Sequence, residues 1–193
     1  MARPKEFEPD VALDRAMDLF WRQGYHATSL SDLTDHLGIA RASLYGTFGS
    51  KHELYLQALR RYVATRNPHP IEILEAPGPV LPAIRTLIEN SAAPPAPEPG
   101  GCLMTNAAAE CDPDDSAVMG LLTDNWDEFE AAITRALTRA RDQGEIAADA
   151  DPRPLARLLL VLMQGLQLLN RCDDQAERLR GAADQAMALL TRR

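Results

Sequence analysis

The sequence of 193 residues has no stretch that could anchor it in a membrane. Its longest fully apolar run, residues 158–163, is far shorter than the roughly 20 residues that cross a bilayer. The N-terminus is polar and carries no apolar signal segment. We therefore expect a cytoplasmic protein with no membrane partner.

Cysteine and histidine are too scarce and too scattered to build a metal centre. The three cysteines, Cys102, Cys111 and Cys172, lack the paired spacing of a zinc site, and the four histidines lie apart along the chain. These counts predict no metal, no cofactor and no disulfide framework. Cys111 and Cys172 are expected to be packing residues.

Aromatic residues are also few, at 5%, and no segment shows the sustained period-two alternation of a β-strand. Alanine and leucine are abundant instead, which favours helix. Apolar residues recur three to four positions apart through most of the chain. The sequence predicts an all-α protein of about nine helices, with a three-helix N-terminal head at residues 1–50 and a helical body at residues 51–193. Helix 51–66 would connect the two.

Charge is unevenly distributed along the chain. The net charge of −8 is unusual for a protein that binds nucleic acid. Residues 1–66, however, contain nine basic and eight acidic residues, whereas residues 67–193 contain eleven basic and twenty acidic ones. This asymmetry suits a head that faces DNA on an acidic body.

Two short predicted helices in the head are joined by a glycine. Thr28 and Ser29 can cap the first of these helices, and Asp32 is placed to close a capping box in its first turn. Gly38 supplies the turn, because the first helix must end in a positive-φ conformation. Leucines and a phenylalanine face inward from both helices: Leu30, Leu33, Leu37, Leu44 and Phe48.

The outward residues of the second short helix are small or polar, and they are Arg41, Ala42, Ser43, Tyr45 and Gly46. Small residues permit close approach to bases, and arginine, serine and tyrosine can donate hydrogen bonds to bases or phosphates. On spacing alone, both a DNA-reading helix pair and a structural helix pair remain open.

With this helix pair and its caps, the sequence resembles the TetR family of regulators. The resemblance covers residues 8 to about 60 and depends on the cap at residues 28–33, the turn at residues 37–39, the segment at residues 40–48 and the cap at residues 50–54. It implies a homodimeric helix-turn-helix transcriptional regulator, mostly a repressor. Such a protein binds a pseudo-palindromic double-stranded operator and leaves it when a small molecule binds the C-terminal domain.

The resemblance also implies roles for single residues. Thr28 and Lys51 would contact phosphate, and the recognition surface would consist of Arg41, Ala42, Ser43 and Tyr45. Gly46 departs from the family pattern, in which histidine is frequent. Arg3 and Lys5 in the N-terminal arm either reach the DNA or are disordered.

Gly100, Gly101 and Cys102 precede a predicted helix in the body. They resemble a branch of the family with a Gly-Cys pair, some members of which respond to electrophiles or oxidants. Independently, a thiol in the first turn of a helix lies near the positive end of the helix dipole, which favours thiolate. The alternative for Cys102 is a small core residue that lines the pocket.

An effector pocket is expected between the helices of the body, with mostly apolar walls and a few polar groups. The candidates are Cys102, Met104, Trp126, Phe129, Met163, Gln167 and Asn170. Gln167 and Asn170 are the most informative, because polar groups on an otherwise apolar helix need partners. Each of the others also fits an ordinary core.

The segment 155–169 is apolar nearly all round. One helix of a small domain rarely has neighbours on every side, so part of this surface should meet a second subunit. The last helix, 174–191, adds small and apolar residues. Together they predict a homodimer with a four-helix interface.

Two other classes of protein fit the sequence less well. An enzyme is disfavoured because the chain has no glycine-rich phosphate loop and no nucleophile set in a recognisable context. Cys102 and His69 are a conceivable nucleophile and base, but nothing in the sequence brings them together. A helical protein-interaction module is the second alternative, and the register of the DNA-facing residues argues against it.

Overall fold

The computed structural model describes residues 7–66, 68–93, 101–172 and 174–191, and all regular structure within these ranges is helical. The predicted all-α fold is therefore confirmed. The ten helices of these ranges are α1 (Pro9–Gln23), α2 (Leu30–Leu37), α3 (Arg41–Phe48), α4 (Lys51–Arg66), α5 (Pro68–Glu75), α6 (Val80–Ala92), α7 (Leu103–Glu110), α8 (Ser116–Asp142), α9 (Pro152–Leu169) and α10 (Ala176–Leu190). Within these ranges, no helix combines the length and apolar character needed to span a bilayer. Arg3, Lys5 and Gly100 lie outside the described residues.

Helix α5 is a short element that the sequence did not predict. The prolines at positions 68 and 70 indicate the end of α4, which does end at Arg66. A new helix then begins at Pro68 itself. Proline is tolerated in the first turn of a helix because an N–H group there would have no partner within the helix.

The turn between α2 and α3 forms as predicted. Asp32 N–H donates to Ser29 Oγ at 3.1 Å, and Ser29 N–H donates to the Asp32 carboxylate at 2.8 Å, which completes the capping box. Gly38 ends α2 with φ +69° in the left-handed region. Leu33, Leu37, Leu44 and Phe48 are buried, so the two short helices pack against α1 and α4.

Buried side chains form two clusters. The first contains residues of α1 to α4 together with residues of α7 and the start of α8. The second joins α5, α6, the rest of α8, α9 and α10. Trp126 of α8 packs against both clusters. Helix α7 therefore shares its core with the head, while the domain boundary at residue 50 stays a prediction.

The end of α8 holds the α5–α6 connection in place. The Glu145 carboxylate accepts hydrogen bonds from Val80 N–H at 2.8 Å and Leu81 N–H at 2.9 Å, at the start of α6. Arg139 donates to the carbonyl of Leu74 at 2.7 Å, near the end of α5. Both contacts satisfy backbone groups that a helix end leaves open, and they fix the position of α6 on the body.

Candidate functional site

The outward face of α3 carries the predicted recognition residues. Arg41, Ala42, Tyr45 and Gly46 are exposed, and Ser43 is half-buried. The Arg41 guanidinium carbon lies 5.7 Å from the centroid of the Tyr45 ring, one helical turn away. This contact holds the two longest side chains of the face together.

Lys51 flanks this face at the start of α4. Its Nζ atom lies 4.3 Å from the centroid of the Tyr25 ring, a cation–π contact with the segment between α1 and α2. Partial burial lowers the pKa of Lys51, while the Asp32 and Glu110 carboxylates act in the opposite direction. The ammonium group is thus oriented by the α1–α2 turn.

Thr28 occupies a different position from the one its predicted role requires. Its side chain is fully buried, and its hydroxyl donates to the carbonyl of Gly24 at 2.6 Å. That carbonyl lies beyond the end of α1, and the Thr28 hydroxyl satisfies it. In this conformation the hydroxyl does not face solvent, so the position of this side chain gives no support to a phosphate contact.

The C-terminal end of α7 binds the turn between α1 and α2. The Glu110 carboxylate accepts hydrogen bonds from Tyr25 N–H at 2.8 Å and His26 N–H at 3.3 Å. It also fills the space that a Cβ atom at Gly24 would need. We call this contact of Glu110 with Gly24, Tyr25 and His26 the α7 clasp.

A second contact joins α4 to the start of α8. His52 Nε2 lies 2.7 Å from Asp115 Oδ2, and Asp115 also caps α8 by accepting from Val118 N–H at 3.2 Å. The hydrogen bond with His52 holds the pKa of the Asp115 carboxyl below its usual range. No local sequence pattern indicates either contact, because His52 and Asp115 are 63 residues apart and Tyr25 and Glu110 are 85 apart.

A cavity of about 330 Å³ opens in the body between α4, α5, α6, α8 and α9, beside the start of α7. Its walls carry polar and apolar side chains in mixture. They are Tyr62, Thr65, Arg66, His69, Pro70, Leu87, Asn90, Ser91, Gly101, Cys102, Asn125, Phe129, Met163, Gln164, Gln167 and Asn170.

Five of the seven predicted pocket residues line this cavity: Cys102, Phe129, Met163, Gln167 and Asn170. Met104 does not, because it is fully buried in the cluster shared with the head. Trp126 does not line it either; its neighbour Asn125 does. Consecutive residues of a helix point about 100° apart, and the Trp126 side chain packs against the two buried clusters.

Several lining residues were missed by sequence reasoning, among them Arg66, Asn90, Asn125 and Gln164. Gln164 had a usable signal, since it lies three positions before Gln167 on the same apolar helix and therefore shares its face. The others lie on helices with polar residues on their solvent-facing sides, and nothing local distinguishes a cavity-lining amide from a solvated one.

The start of α7 forms hydrogen bonds with three other helices. Trp21 Nε1 of α1 donates to the carbonyl of Gly101 at 3.2 Å. The Tyr62 hydroxyl of α4 donates to Cys102 Sγ at 3.4 Å. The Thr105 hydroxyl lies 2.5 Å from Gln164 Oε1 of α9. One end of α7 therefore lies at the cavity and the other at the clasp.

The remaining cysteines differ in their surroundings. Cys172 is exposed, so the prediction that it is a packing residue is wrong; it follows the end of α9, where the chain turns at the surface. Cys111 is half-buried, and burial together with the Asp115 and Asp112 carboxylates raises the pKa of its thiol.

The structure places Cys102 and His69 on the same cavity, but the hydrogen-bond donor to the Cys102 sulfur is Tyr62. In the part of the chain that the structure describes, no group of three or more histidine, cysteine or acidic side chains is arranged to hold a metal ion.

Comparison with known proteins gives matches along most of the chain. Residues 12–58 match the family model of bacterial regulatory proteins of the tetR family, and residues 80–186 match the tetracyclin repressor-like C-terminal domain. The chain is 37% identical over 193 residues to the uncharacterized HTH-type transcriptional regulator YezE of Bacillus subtilis (strain 168), with 98% of this chain and 100% of that protein covered. It is 30% identical over 195 residues to the HTH-type transcriptional repressor ComR of Escherichia coli (strain K12), covering 97% and 90%.

Solved structures show the same fold. A cysteine mutant of the TetR family regulator CifR, complexed with 26-bp operator DNA, superposes with a TM-score of 0.85 at 30% identity, covering 98% of this chain and 100% of that one. The reduced form of E. coli NemR superposes with a TM-score of 0.79 at 20% identity, covering 92% and 93%, which shows likeness of fold alone.

Proposed function

Since the chain belongs to the TetR family of bacterial transcriptional regulators, we propose that it binds operator DNA as a homodimer and releases it when a small molecule fills the cavity. The observation that carries this proposal is the exposed face of α3, with Arg41 and Tyr45 beside the small residues Ala42 and Gly46. Repression is the proposed outcome, as in the relative named a repressor.

The α3 face has the features that a DNA-reading helix needs. Ala42 and Gly46 leave room for a base edge or a phosphate to approach. Arg41 can donate two hydrogen bonds to guanine in the major groove, and the Tyr45 hydroxyl can donate to phosphate. Lys51, held against Tyr25 at the flank, supplies a charge for the backbone. The CifR mutant solved with operator DNA has the same fold, which supports this assignment.

The proposed dimer uses the apolar surface of α9 and α10. Large apolar side chains stand exposed there in the single chain, namely Leu158, Val161, Leu168, Leu169 and Leu189. A patch of this kind on a soluble protein marks an interface. A two-fold dimer presents its two α3 helices to equivalent half-sites, so the operator is proposed to be pseudo-palindromic.

The DNA-binding assignment predicts that Arg41→Gln and Tyr45→Ala each weaken operator binding. The protein should bind the DNA upstream of its own gene, with an affinity that falls steeply as salt rises. Each variant should raise the Kd about tenfold, while thermal unfolding stays as in the wild type because both side chains are exposed. Fluorescence anisotropy with labelled DNA measures the effect. Arg85→Gln on α6 is the control, and normal DNA binding by both α3 variants would contradict the assignment.

A second mode of release is proposed because Cys102 lines the cavity and accepts a hydrogen bond from Tyr62. In this mode the Cys102 thiolate adds to an electrophilic carbon of a quinone. A carbon–sulfur bond forms, and the displaced electron pair goes to the quinone oxygen, which takes up a proton. The adduct then occupies the cavity as an effector would.

The thiol hypothesis predicts that a quinone releases DNA from the wild-type protein but not from Cys102→Ser. The control is Cys172→Ser, which removes an exposed thiol outside the cavity and should still release DNA. The measurement is anisotropy of the preformed complex after treatment, with intact mass to count adducts. If all three proteins release DNA alike, or none does, Cys102 is not the sensor.

A further inference from the structure

We infer that the effector taken by this cavity is a small hydroxylated carboxylic acid, such as a sugar acid, rather than an apolar or cationic compound. The inference rests on the proposed function, because it names the ligand class of the same cavity. It is drawn from the charge, the polarity and the size of the cavity walls.

The charge of the cavity contrasts with that of the body around it. Residues 67–193 carry twenty acidic side chains against eleven basic ones. In the described part of the chain, however, none of the cavity-lining side chains is acidic. Arg66 is an exposed residue at the edge of the cavity, and its guanidinium carbon lies 5.8 Å from the centroid of the Trp21 ring. A guanidinium is suited to a carboxylate. A cation would meet this charge and find no counter-ion among the described lining residues.

Carboxamides are the most numerous kind of polar side chain among the described wall residues. Five of the lining residues carry one: Asn90, Asn125, Gln164, Gln167 and Asn170. A carboxamide offers both donors and acceptors, and so does a hydroxyl group, whereas a hydrocarbon offers neither. Gln164 and Gln167 each already accept from the Thr105 hydroxyl, but an apolar ligand would give the buried amide nitrogen of Asn125 no partner, at a cost in free energy. A ligand with several hydroxyl groups matches these carboxamides.

Asn125 offers such a ligand a hydrogen bond. Its side-chain nitrogen is buried and has no hydrogen-bond partner among the described residues, and the residue lines the cavity. A buried amide nitrogen of this kind is satisfied by an oxygen that enters beside it. If the amide is turned by 180°, the buried atom is an oxygen, and a ligand hydroxyl can donate to it instead.

The size of the cavity limits the ligand. Its volume of about 330 Å³ is at the lower end of the range of about 300–1,000 Å³ for ligand pockets. Leu87, Phe129 and Met163 supply apolar surface for a carbon skeleton. A single sugar ring or an open chain of similar length, with one carboxylate toward Arg66, combines these requirements.

Four compounds that differ mainly in charge test the inference on the full-length dimer. They are D-galacturonate and D-gluconate, which are anions, D-galactose, which is neutral, and D-galactosamine, which is a cation. Titration calorimetry gives the Kd, and thermal unfolding gives the accompanying rise in Tm. At least one of the two acids should bind about tenfold more tightly than galactose, and galactosamine should bind most weakly. Failure of both acids to bind, or binding of galactosamine as tight as that of the acids, overturns the inference.

Substitutions test whether the cavity residues cause the preference for the acids over galactose. Arg66→Gln should abolish the preference for the acid over galactose, and Arg66→Lys should keep it. Asn125→Leu should weaken both ligands about tenfold. Arg60→Gln, an exposed arginine of the same helix outside the cavity, is the matched control and should bind as the wild type does. If Arg66→Gln retains the full preference, the inference is wrong. If Asn125→Leu fails to fold, the Arg66→Gln and Arg66→Lys variants, measured with the four compounds, still test the inference.

The two proposals fail in different ways. Operator binding without ligand, measured on the same preparation, tests the proposed function. If the protein binds its operator but neither acid, the ligand class is wrong and the DNA-binding function stands. If an acid binds in the cavity and no upstream DNA is bound, the proposed function is wrong and the ligand class stands.

Discussion

Gly101 is the residue at which α1, α7 and α9 meet. Its carbonyl accepts the indole N–H of Trp21, and its φ of +77° lies in the left-handed region that favours glycine. A Cβ atom at this position would lie 2.8 Å from the backbone carbonyl oxygen of Gln167. Because that neighbour is backbone, it has little freedom to move away, and both the conformation and the space require glycine.

Gly101→Ala is therefore expected to lower the free energy of unfolding by about 2 kcal/mol or more, from backbone strain and the collision with α9. Denaturation in urea measures this change. The control is Gly120→Ala, at an exposed helical position with nothing within 4 Å of the added Cβ, which should be stabilising by about 0.5–1 kcal/mol. Equal stability of Gly101→Ala and the wild type would show that the α7–α9 contact is not tight.

Single residues were predicted from the sequence where the evidence is local. The Ser29–Asp32 capping box and the Gly38 turn follow from residue types three to ten positions apart, and both are present. The clasp at Glu110 depends on two segments that are distant in sequence, so no local pattern marks it. Asn125 was missed for a related reason: periodicity identifies the apolar side of a helix but not the neighbour that each side meets.

At the scale of elements, α7 is the helix that touches both candidate sites. It has eight residues, or about 12 Å of length. Cys102 and Thr105 lie near its cavity end, and Glu110 forms the clasp at the other. Since the helix is short and hydrogen-bonded at both ends, we expect a ligand that displaces its start to act on the α1–α2 turn as well.

Removing the clasp should loosen that turn specifically. In Glu110→Ala, the backbone amides of Tyr25 and His26 lose their acceptor, and we expect them to exchange with deuterium about tenfold faster, as for the loss of one hydrogen bond to a charged group. Amides in α9 should be unchanged. The matched control is Glu128→Ala, an exposed carboxylate on α8, which should leave the exchange at Tyr25 and His26 unaffected. Unchanged protection in Glu110→Ala would mean that the clasp contributes nothing to the order of the turn.

At the scale of the whole molecule, α9 and α10 carry five of the seven large apolar side chains that are exposed among the described residues. Val161 is 69% exposed and Leu158 is 55% exposed in the single chain. The sequence indicated this surface because a helix that is apolar nearly all round needs a partner on every side. Which of its faces is left uncovered could be read only from the structure, since α6 and α8 cover the other sides of α9.

Val161→Glu is expected to convert the dimer into a monomer, because it places a charge in the middle of the proposed interface, where no partner for it is provided. Sedimentation velocity measures the oligomeric state, and operator affinity should fall in parallel. Val11→Glu makes the same change at another exposed valine, on α1 and 50% exposed, and should remain dimeric. A dimeric Val161→Glu protein would place the interface elsewhere.

The core that α7 shares with the head has a consequence for modular exchange between relatives. A graft that replaces only residues 1–50 would set a foreign head against Leu103, Met104 and Leu122, whose side chains are buried in the native head-side cluster. The junction would then contain mismatched volumes, with voids or overlaps that destabilise the chimera. A hybrid regulator would combine the DNA-binding head of one relative with the effector-binding body of another. In such a hybrid, α7 and the start of α8 should be transferred together with the helix-turn-helix. The exchanged unit would then be defined by the buried cluster that its residues share, although these residues are not continuous in sequence.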